Sequence, residues 1–156
     1  MTWEEKLQLQ FYQSENYIVT WDDVRAKVWV LFEQLQDEPI DLIVGISRGG
    51  LIPGVMLSHK LDVPFTPLQW QTRDDTMERD FLSLVQLGKL KETGPKNILF
   101  VDDICDTGKT INEIRSQVPT GRWAVLYSKM DNMGIDFIGK RVYNVNKWIV
   151  FPWEKQ

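Results

Sequence analysis

Two short apolar runs, each followed by a glycine-containing polar loop and then by a helical pattern, limit the possible folds more than any other feature. The first run, residues 41–46, is closed by Ser-Arg-Gly-Gly and followed by a helical pattern over 51–61. The second run, residues 97–101, leads through a polar loop into a helical pattern over 111–117. Such runs are typical of buried strands, and strands that alternate with helices form mainly parallel sheets. The sequence therefore predicts an α/β fold with a mainly parallel sheet flanked by helices.

The rest of the chain predicts further elements of the same kind. Thr20 precedes two acidic residues and a run of apolar periodicity, which predicts an N-cap and a helix that ends before Pro39. Further strands are predicted at the following ranges: 63–70, 123–128 and 141–145, with an aromatic tail at 148–153. Residues 71–95 are polar, charged and poorly periodic. We therefore expect a flexible flap there rather than part of the core.

Composition limits the class of protein and its partners. The chain has 156 residues with a net charge of −4, so we expect one domain over 1–156 and no basic surface for nucleic acid. The single cysteine, Cys105, excludes a disulfide within the chain and a cysteine-rich zinc site. We find neither a signal peptide nor a run of about 20 apolar residues that could span a membrane. A soluble, cytoplasmic protein without integral membrane contact is expected.

The loop after the second apolar run has the chemistry of a phosphate site. Residues 106–110 offer consecutive backbone N–H groups, two hydroxyls and a glycine at the start of a helix, which suits a phosphate group. The end of the loop also fits a nucleoside-triphosphate P-loop, but the first glycine of that motif would fall at position 103, which is aspartate. Asp102 and Asp103 suit ribose hydroxyls and a hydrated magnesium ion instead. These residues indicate a phosphorylated sugar.

Residues 98–110 read Ile-Leu-Phe-Val-Asp-Asp-Ile-Cys-Asp-Thr-Gly-Lys-Thr, and they resemble the phosphoribosyl pyrophosphate signature of type I phosphoribosyltransferases. Residues 47–50 resemble the diphosphate loop of that family, which contains a non-proline cis peptide bond. The resemblance implies a type I phosphoribosyltransferase-like fold whose flap covers the active site, with Arg79 reaching the diphosphate. It implies that phosphoribosyl pyrophosphate is bound by Ser47, Arg48, Gly49, Gly50, Arg79, Asp102, Asp103, Asp106, Thr107, Gly108, Lys109 and Thr110. Asp102 and Asp103 would also hold the cofactor, Mg2+, and Asp106 would be the catalytic general base.

Further similarity, over residues 17–153, is to the bacterial xanthine-guanine branch of the family. It implies that Trp148 stacks on the purine, that the Ile149 carbonyl accepts from an exocyclic amino group, and that Lys129 donates to the 6-oxo group. A lysine donor favours 6-oxopurines over adenine, because adenine presents a donor at the same position. The implied reaction is magnesium-dependent transfer of 5-phosphoribose to guanine, xanthine or hypoxanthine, with release of pyrophosphate, as in purine salvage.

Two alternatives remain open from the sequence. The chain could be a phosphoribosyltransferase that acts on another base, or a regulator on the same fold that senses nucleotides without reacting. Asp106, Lys129 and Trp148 favour the enzyme. The resemblance also implies a homodimer or homotetramer, and it leaves residues 1–16 as an N-terminal extension.

Overall fold

A computed structural model of the protein describes residues 1–6, 16–70, 81–131, 134–142 and 147–154. Seven strands and four longer helices follow one another along these residues. They are β1 (Asn16–Ile18), α1 (Trp21–Leu35), β2 (Leu42–Ser47), α2 (Leu51–Leu61), β3 (Phe65–Gln69), α3 (Phe81–Thr93), β4 (Ile98–Cys105), α4 (Lys109–Gln117), β5 (Arg122–Ser128), β6 (Phe137–Arg141) and β7 (Trp148–Val150). Among the described residues, no helix has the length and apolar character needed to cross a bilayer.

The central sheet has five strands in the order β3-β2-β4-β5-β6, and every neighbouring pair is parallel. This confirms the predicted α/β architecture. After β2 the chain forms β3 at one edge of the sheet, whereas after β4 it forms β5 and then β6 towards the other edge. The strand order therefore reverses between β2 and β4. Loops that leave two such strands diverge and open a crevice at the carboxyl edge of the sheet, where α/β proteins bind ligands.

Both faces of the sheet are buried, as the continuous apolar runs predict. Successive residues of β4 alternate between two clusters: Leu99 and Val101 belong to one, and Phe100 belongs to the other. Helices α1 and α2 cover the first face, whereas α3 and α4 cover the second. Each fully buried large apolar side chain stabilises the fold by about 1.5–3 kcal/mol. The two layers therefore hold the carboxyl edge of the sheet in a fixed position.

Helix α1 begins as the sequence predicts. The Thr20 hydroxyl accepts from the Asp23 backbone N–H at 3.1 Å, and the Asp23 carboxylate accepts from the Thr20 backbone N–H at 2.9 Å. This reciprocal capping box satisfies two N–H groups at the start of the helix, and the hydrogen bond from the Thr20 backbone lowers the pKa of Asp23. The inward face of the helix carries Val24, Val28, Leu31 and Leu35.

A second, two-stranded parallel sheet joins distant parts of the chain. Tyr17 of β1 is opposite Ile149 of β7, and the Val19 N–H donates to the Val150 carbonyl at 2.9 Å. The aromatic tail therefore lies beside the segment that leads into α1. Beyond β7 the chain turns so that the rings of Phe151 and Trp153 stack with their centroids 4.9 Å apart.

Two parts of the sequence-based prediction differ from the structure. Half of the predicted flap, 81–93, is helix α3, in which Ser83 and Leu87 are buried while Leu84 and Val85 are exposed. The exposed apolar pair obscured the helical periodicity of the buried face. Residues 71–80, including Arg79, lie outside the described residues, so the flap stays a prediction.

The strand beside β5 is β6, which begins at Phe137 and ends at Arg141, whereas the sequence predicts a strand that begins at 141. Residues 143–145 of that predicted strand lie outside the described residues. Gly139 in the middle of β6 lowers strand propensity but allows a close approach. A Cβ at Gly139 would lie 2.5 Å from the Leu126 carbonyl oxygen and 3.1 Å from the Lys27 Cβ. Here the packing of β6 between β5 and α1 overrides the local propensity.

Candidate active site

The loop after β2 packs directly against the end of β4. A Cβ at Gly49 would lie 2.0 Å from an Asp103 carboxylate oxygen, and one at Gly50 would lie 2.2 Å from the Val101 carbonyl oxygen. Only glycine allows the backbone to come this close. The Ser47–Arg48 peptide bond is cis, as the family resemblance implies, and the Arg48 side chain is exposed. The predicted diphosphate loop therefore lies against the paired aspartates.

Asp102 and Asp103 are the last polar residues of β4 before the loop, and both are partly buried. The Asp103 N–H donates to an Asp102 carboxylate oxygen at 2.9 Å. Burial raises the pKa of both carboxyls, and the charge of Asp103 raises the pKa of Asp102 further. Two adjacent carboxyls that lose hydration suit a divalent cation, because its charge would offset the cost of ionising them.

The carboxyl pair by itself provides an incomplete cation site. Across the described parts of the chain, no group of three or more acidic, histidine or cysteine side chains could hold a metal ion. Mg²⁺ commonly binds through one or two carboxylates together with water and substrate phosphates. The donor set therefore fits a Mg²⁺ ion that is shared with a phosphorylated substrate.

The start of α4 has the features of an anion site. Gly108 has a φ of 83°, a left-handed conformation that glycine adopts without strain, and it forms the N-cap without a side-chain hydrogen bond to the helix. The Lys109 N–H donates to the Thr107 hydroxyl at 3.4 Å, and the first turn contains no acidic residue. The positive end of the helix dipole is therefore left for an external anion. Thr110, which belongs to the same first turn, was predicted to contact that anion.

Lys129 and Asp106 meet where two neighbouring strands end. Cys105 of β4 is opposite Ser128 of β5, and the Lys129 N–H donates to the Cys105 carbonyl at 2.9 Å. This continues the ladder one residue beyond β5, so the side chains of 106 and 129 leave adjacent positions. The Lys129 ammonium lies 3.3 Å from an Asp106 carboxylate oxygen, with side-chain exposures of 6% for the lysine and 48% for the aspartate. A sequestered cation thus faces an accessible carboxylate.

The predicted base-binding residues of the tail belong to β7. Trp148 is 53% exposed, whereas Ile149 is buried among the residues of the first core cluster. An exposed indole held by a strand can offer its face to a planar ligand. The structure therefore makes stacking on Trp148 feasible, and the roles of both residues stay predictions.

The sequence-based prediction missed one residue of this region. Ser128 is 1% exposed and its side chain forms hydrogen bonds to Met130 immediately after Lys129. The only signal in the sequence is a hydroxyl residue that ends an otherwise apolar strand. Its importance depends on the turn that follows β5, which propensity does not describe.

The fold and these loops define a class of protein: doubly wound α/β proteins in which two glycine-containing loops meet at the switch point of a parallel sheet. Comparison with known families agrees, since the family described as "Phosphoribosyl transferase domain" matches residues 19–154. The chain belongs to this family, and it is therefore a phosphoribosyltransferase.

Its relatives include enzymes named for purine substrates. The chain is 29% identical over 148 residues to the xanthine-guanine phosphoribosyltransferase of Idiomarina loihiensis, covering 92% of this chain and 90% of that protein. It is 30% identical over 148 residues to the enzyme of the same name from Cereibacter sphaeroides, covering 90% and 87%. Among solved structures, the purine phosphoribosyltransferase from Pyrococcus horikoshii Ot3 superposes with a TM-score of 0.69 at 32% identity, covering 91% and 96%.

Proposed function

We propose that the protein catalyses magnesium-dependent transfer of 5-phosphoribose from phosphoribosyl pyrophosphate to guanine, xanthine or hypoxanthine. The products are the nucleoside 5′-monophosphate and pyrophosphate, so the reaction recovers free purines in the cytoplasm. The observation that carries the proposal is the 3.3 Å contact between the Lys129 ammonium and the Asp106 carboxylate. It brings a hydrogen-bond donor for a base carbonyl next to a group that can take a proton from the same base.

The choice of base follows from the chemistry of Lys129. An ammonium group donates hydrogen bonds and accepts none, so it pairs with a 6-oxo group and opposes a 6-amino group. Because the lysine side chain is almost fully buried, adenine would leave two donors facing each other away from water. This argument, together with the printed names of the relatives, supports a 6-oxopurine.

The phosphoribosyl half of the substrate would lie across the two loops. Residues 107–110 would hold the 5′-phosphate at the start of α4, and Asp102 and Asp103 would hold the ribose hydroxyls. The exposed Arg48 and the backbone of the diphosphate loop would hold the departing pyrophosphate. When bound by Asp102 and Asp103, Mg²⁺ would add positive charge that stabilises this leaving group.

In the transfer step, N9 of the base forms a bond to C1′ of the ribose while the bond from C1′ to the diphosphate oxygen breaks. The electron pair of the broken bond leaves with pyrophosphate, and the proton on N7 of the base passes to Asp106. Asp106 is about half exposed, so it can receive a proton from a base that lies over it. In the reverse reaction the same carboxylic acid returns the proton.

Pyrophosphate release tests the proposal. The protein is incubated with Mg²⁺ and phosphoribosyl pyrophosphate, and guanine, xanthine, hypoxanthine, adenine, uracil and orotate are offered separately. We expect release with the 6-oxopurines only. Release with adenine, uracil or orotate instead would assign the chain to the alternative of another base, and release with none of them would favour a nucleotide sensor.

The Asp106→Asn variant tests the proton transfer. Loss of a general base lowers kcat by about 10²–10⁴-fold, while binding of both substrates should persist. Asp62→Asn is the matched control, because Asp62 ends α2 in a left-handed conformation that asparagine also tolerates. Unchanged turnover in Asp106→Asn would remove this residue as the base.

A further inference from the structure

Ser128 is a buried polar residue at the edge of the proposed base site. Only 1% of the surface of Ser128 is exposed. A buried hydroxyl needs hydrogen-bond partners, because an unpaired one carries the full cost of lost hydration. The identity of its partners therefore indicates what the residue holds in place.

The Ser128 hydroxyl forms two hydrogen bonds beside Lys129. It donates to the Met130 carbonyl at 2.9 Å and accepts from the Met130 N–H at 3.3 Å. These bonds use the one donor position and one of the two acceptor positions of the hydroxyl.

These contacts act on the turn that carries Lys129. The two hydrogen bonds to Met130 close a turn around Lys129, which fixes the direction in which the lysine leaves the backbone. In the sheet, Ser128 is opposite Cys105, the residue that directly precedes Asp106. Ser128 is therefore bonded through its side chain to the residue that follows Lys129, at the point where the two strand ends meet.

We propose that Ser128 is a positioning residue for the base-binding site: its hydroxyl fixes the turn that aims the Lys129 ammonium at the 6-oxo group of the purine. This inference rests on the proposed function, because it takes Lys129 as the residue that recognises the base. Ser128 itself touches neither substrate. Its contribution is specific to the base and separate from the phosphoribosyl pyrophosphate site.

The Ser128→Ala variant tests this role by steady-state kinetics with each substrate varied in turn. Loss of the hydroxyl frees the turn, so we expect kcat/KM for the 6-oxopurine to fall about 10-fold, which corresponds to one misdirected hydrogen bond. The KM for phosphoribosyl pyrophosphate should stay within about 2-fold of wild type. Ser116→Ala is the matched control, since the exposed Ser116 hydroxyl donates to the Glu113 carbonyl outside the base site.

Three further variants separate positioning from a general structural role. Ser128→Thr keeps the hydroxyl but adds a methyl group to a packed site, so it should lower Tm and still restore base kinetics. In a Lys129→Met background, adding Ser128→Ala should cause no further loss of kcat/KM, because the two residues act through one interaction. Should Ser128→Ala fail to fold, Ser128→Cys provides a weaker hydrogen-bonding group of similar shape and should show a smaller loss for the base.

The outcomes distinguish this inference from the proposed function. If the wild-type protein uses none of the 6-oxopurines, the proposed function fails. If wild type is active but Ser128→Ala leaves base kinetics unchanged, the positioning role is overturned. Equal loss for both substrates, or a loss that persists in the Lys129→Met background, would also overturn it.

Discussion

The close contact between the diphosphate loop and β4 makes Gly50→Ala the most informative substitution in the site. Gly50 has a φ of −77° and a ψ of −8°, which any residue adopts, so the backbone conformation itself would accept alanine. The available space is the obstacle. The new Cβ would lie 2.2 Å from the Val101 carbonyl oxygen and 2.8 Å from the backbone N and O atoms of Ile46.

These neighbours are backbone atoms of buried strands and cannot rotate away. To restore an ordinary contact of 3.4 Å, the loop would have to move by about 1 Å relative to β4. Overpacking of this kind costs about 1–3 kcal/mol, which corresponds to a fall in Tm of about 3–10 °C for a domain of this size. A shift of about 1 Å at a substrate-positioning loop can lower catalytic efficiency about 100-fold. We therefore expect reduced Tm and a large loss of kcat/KM for phosphoribosyl pyrophosphate.

Gly88→Ala is the matched control, because it makes the same chemical change where there is room. Gly88 is inside helix α3, and apart from the adjoining backbone of that helix none of the described residues has an atom within 4 Å of its Cβ position. Alanine in a helix interior is about 0.5–1 kcal/mol more favourable than glycine, so this variant should raise Tm slightly and keep normal kinetics. Thermal unfolding and pyrophosphate release measure both variants. Wild-type Tm and KM in Gly50→Ala would refute the reasoning from close approach.

Four more predictions concern the base platform, the two residues of the capping box and the cation. Trp148→Ala should raise the KM for the base about 10-fold. Trp29 has a similar exposure of 51%, so Trp29→Ala is the control and should leave the KM for the base unchanged. Equal effects of the two substitutions would contradict stacking on Trp148. Thr20→Ala should lower the free energy of unfolding by about 1 kcal/mol in denaturant titrations. Asp23→Asn should be less stable than wild type at neutral pH, but because the folded pKa of Asp23 is lowered, this difference should disappear as pH falls through that pKa. Asp103→Asn should raise the Mg²⁺ concentration needed for half-maximal pyrophosphate release, and an unaltered Mg²⁺ dependence would argue against a carboxylate ligand at this position.

The sequence predicted those parts of the fold that local patterns determine. Thr20 caps α1 because its hydroxyl acts on an N–H group within one turn, and the apolar run before Asp102 forms a strand because both of its faces are covered. Gly139 shows where local reasoning fails, since its strand exists through contacts with Leu126 and Lys27, which are remote in sequence. Propensity at a single glycine carries no information about such neighbours.

The residues of the candidate site divide in the same way, into those that local sequence predicts and those that depend on contacts remote in sequence. The loop residues 102–110 were identified because their chemistry is contained in consecutive positions. The contact between Lys129 and Asp106 joins two strand ends, and the sequence alone could suggest it only through resemblance to a family. Ser128 escaped notice because a single serine at the end of a strand has no distinctive pattern. Its partners became apparent only with the turn around Lys129.

The pairing of β1 with β7 has a consequence for the order in which the protein is made. Of the strands that the structure describes, β1 is synthesised first, whereas its partner β7 is synthesised last. Ile149 and Phe151 belong to the core cluster that packs on one face of the central sheet, so this face stays incomplete until β7 has been released. The proposed base platform and the last part of the core therefore join the fold together, after the strands that carry both phosphate loops.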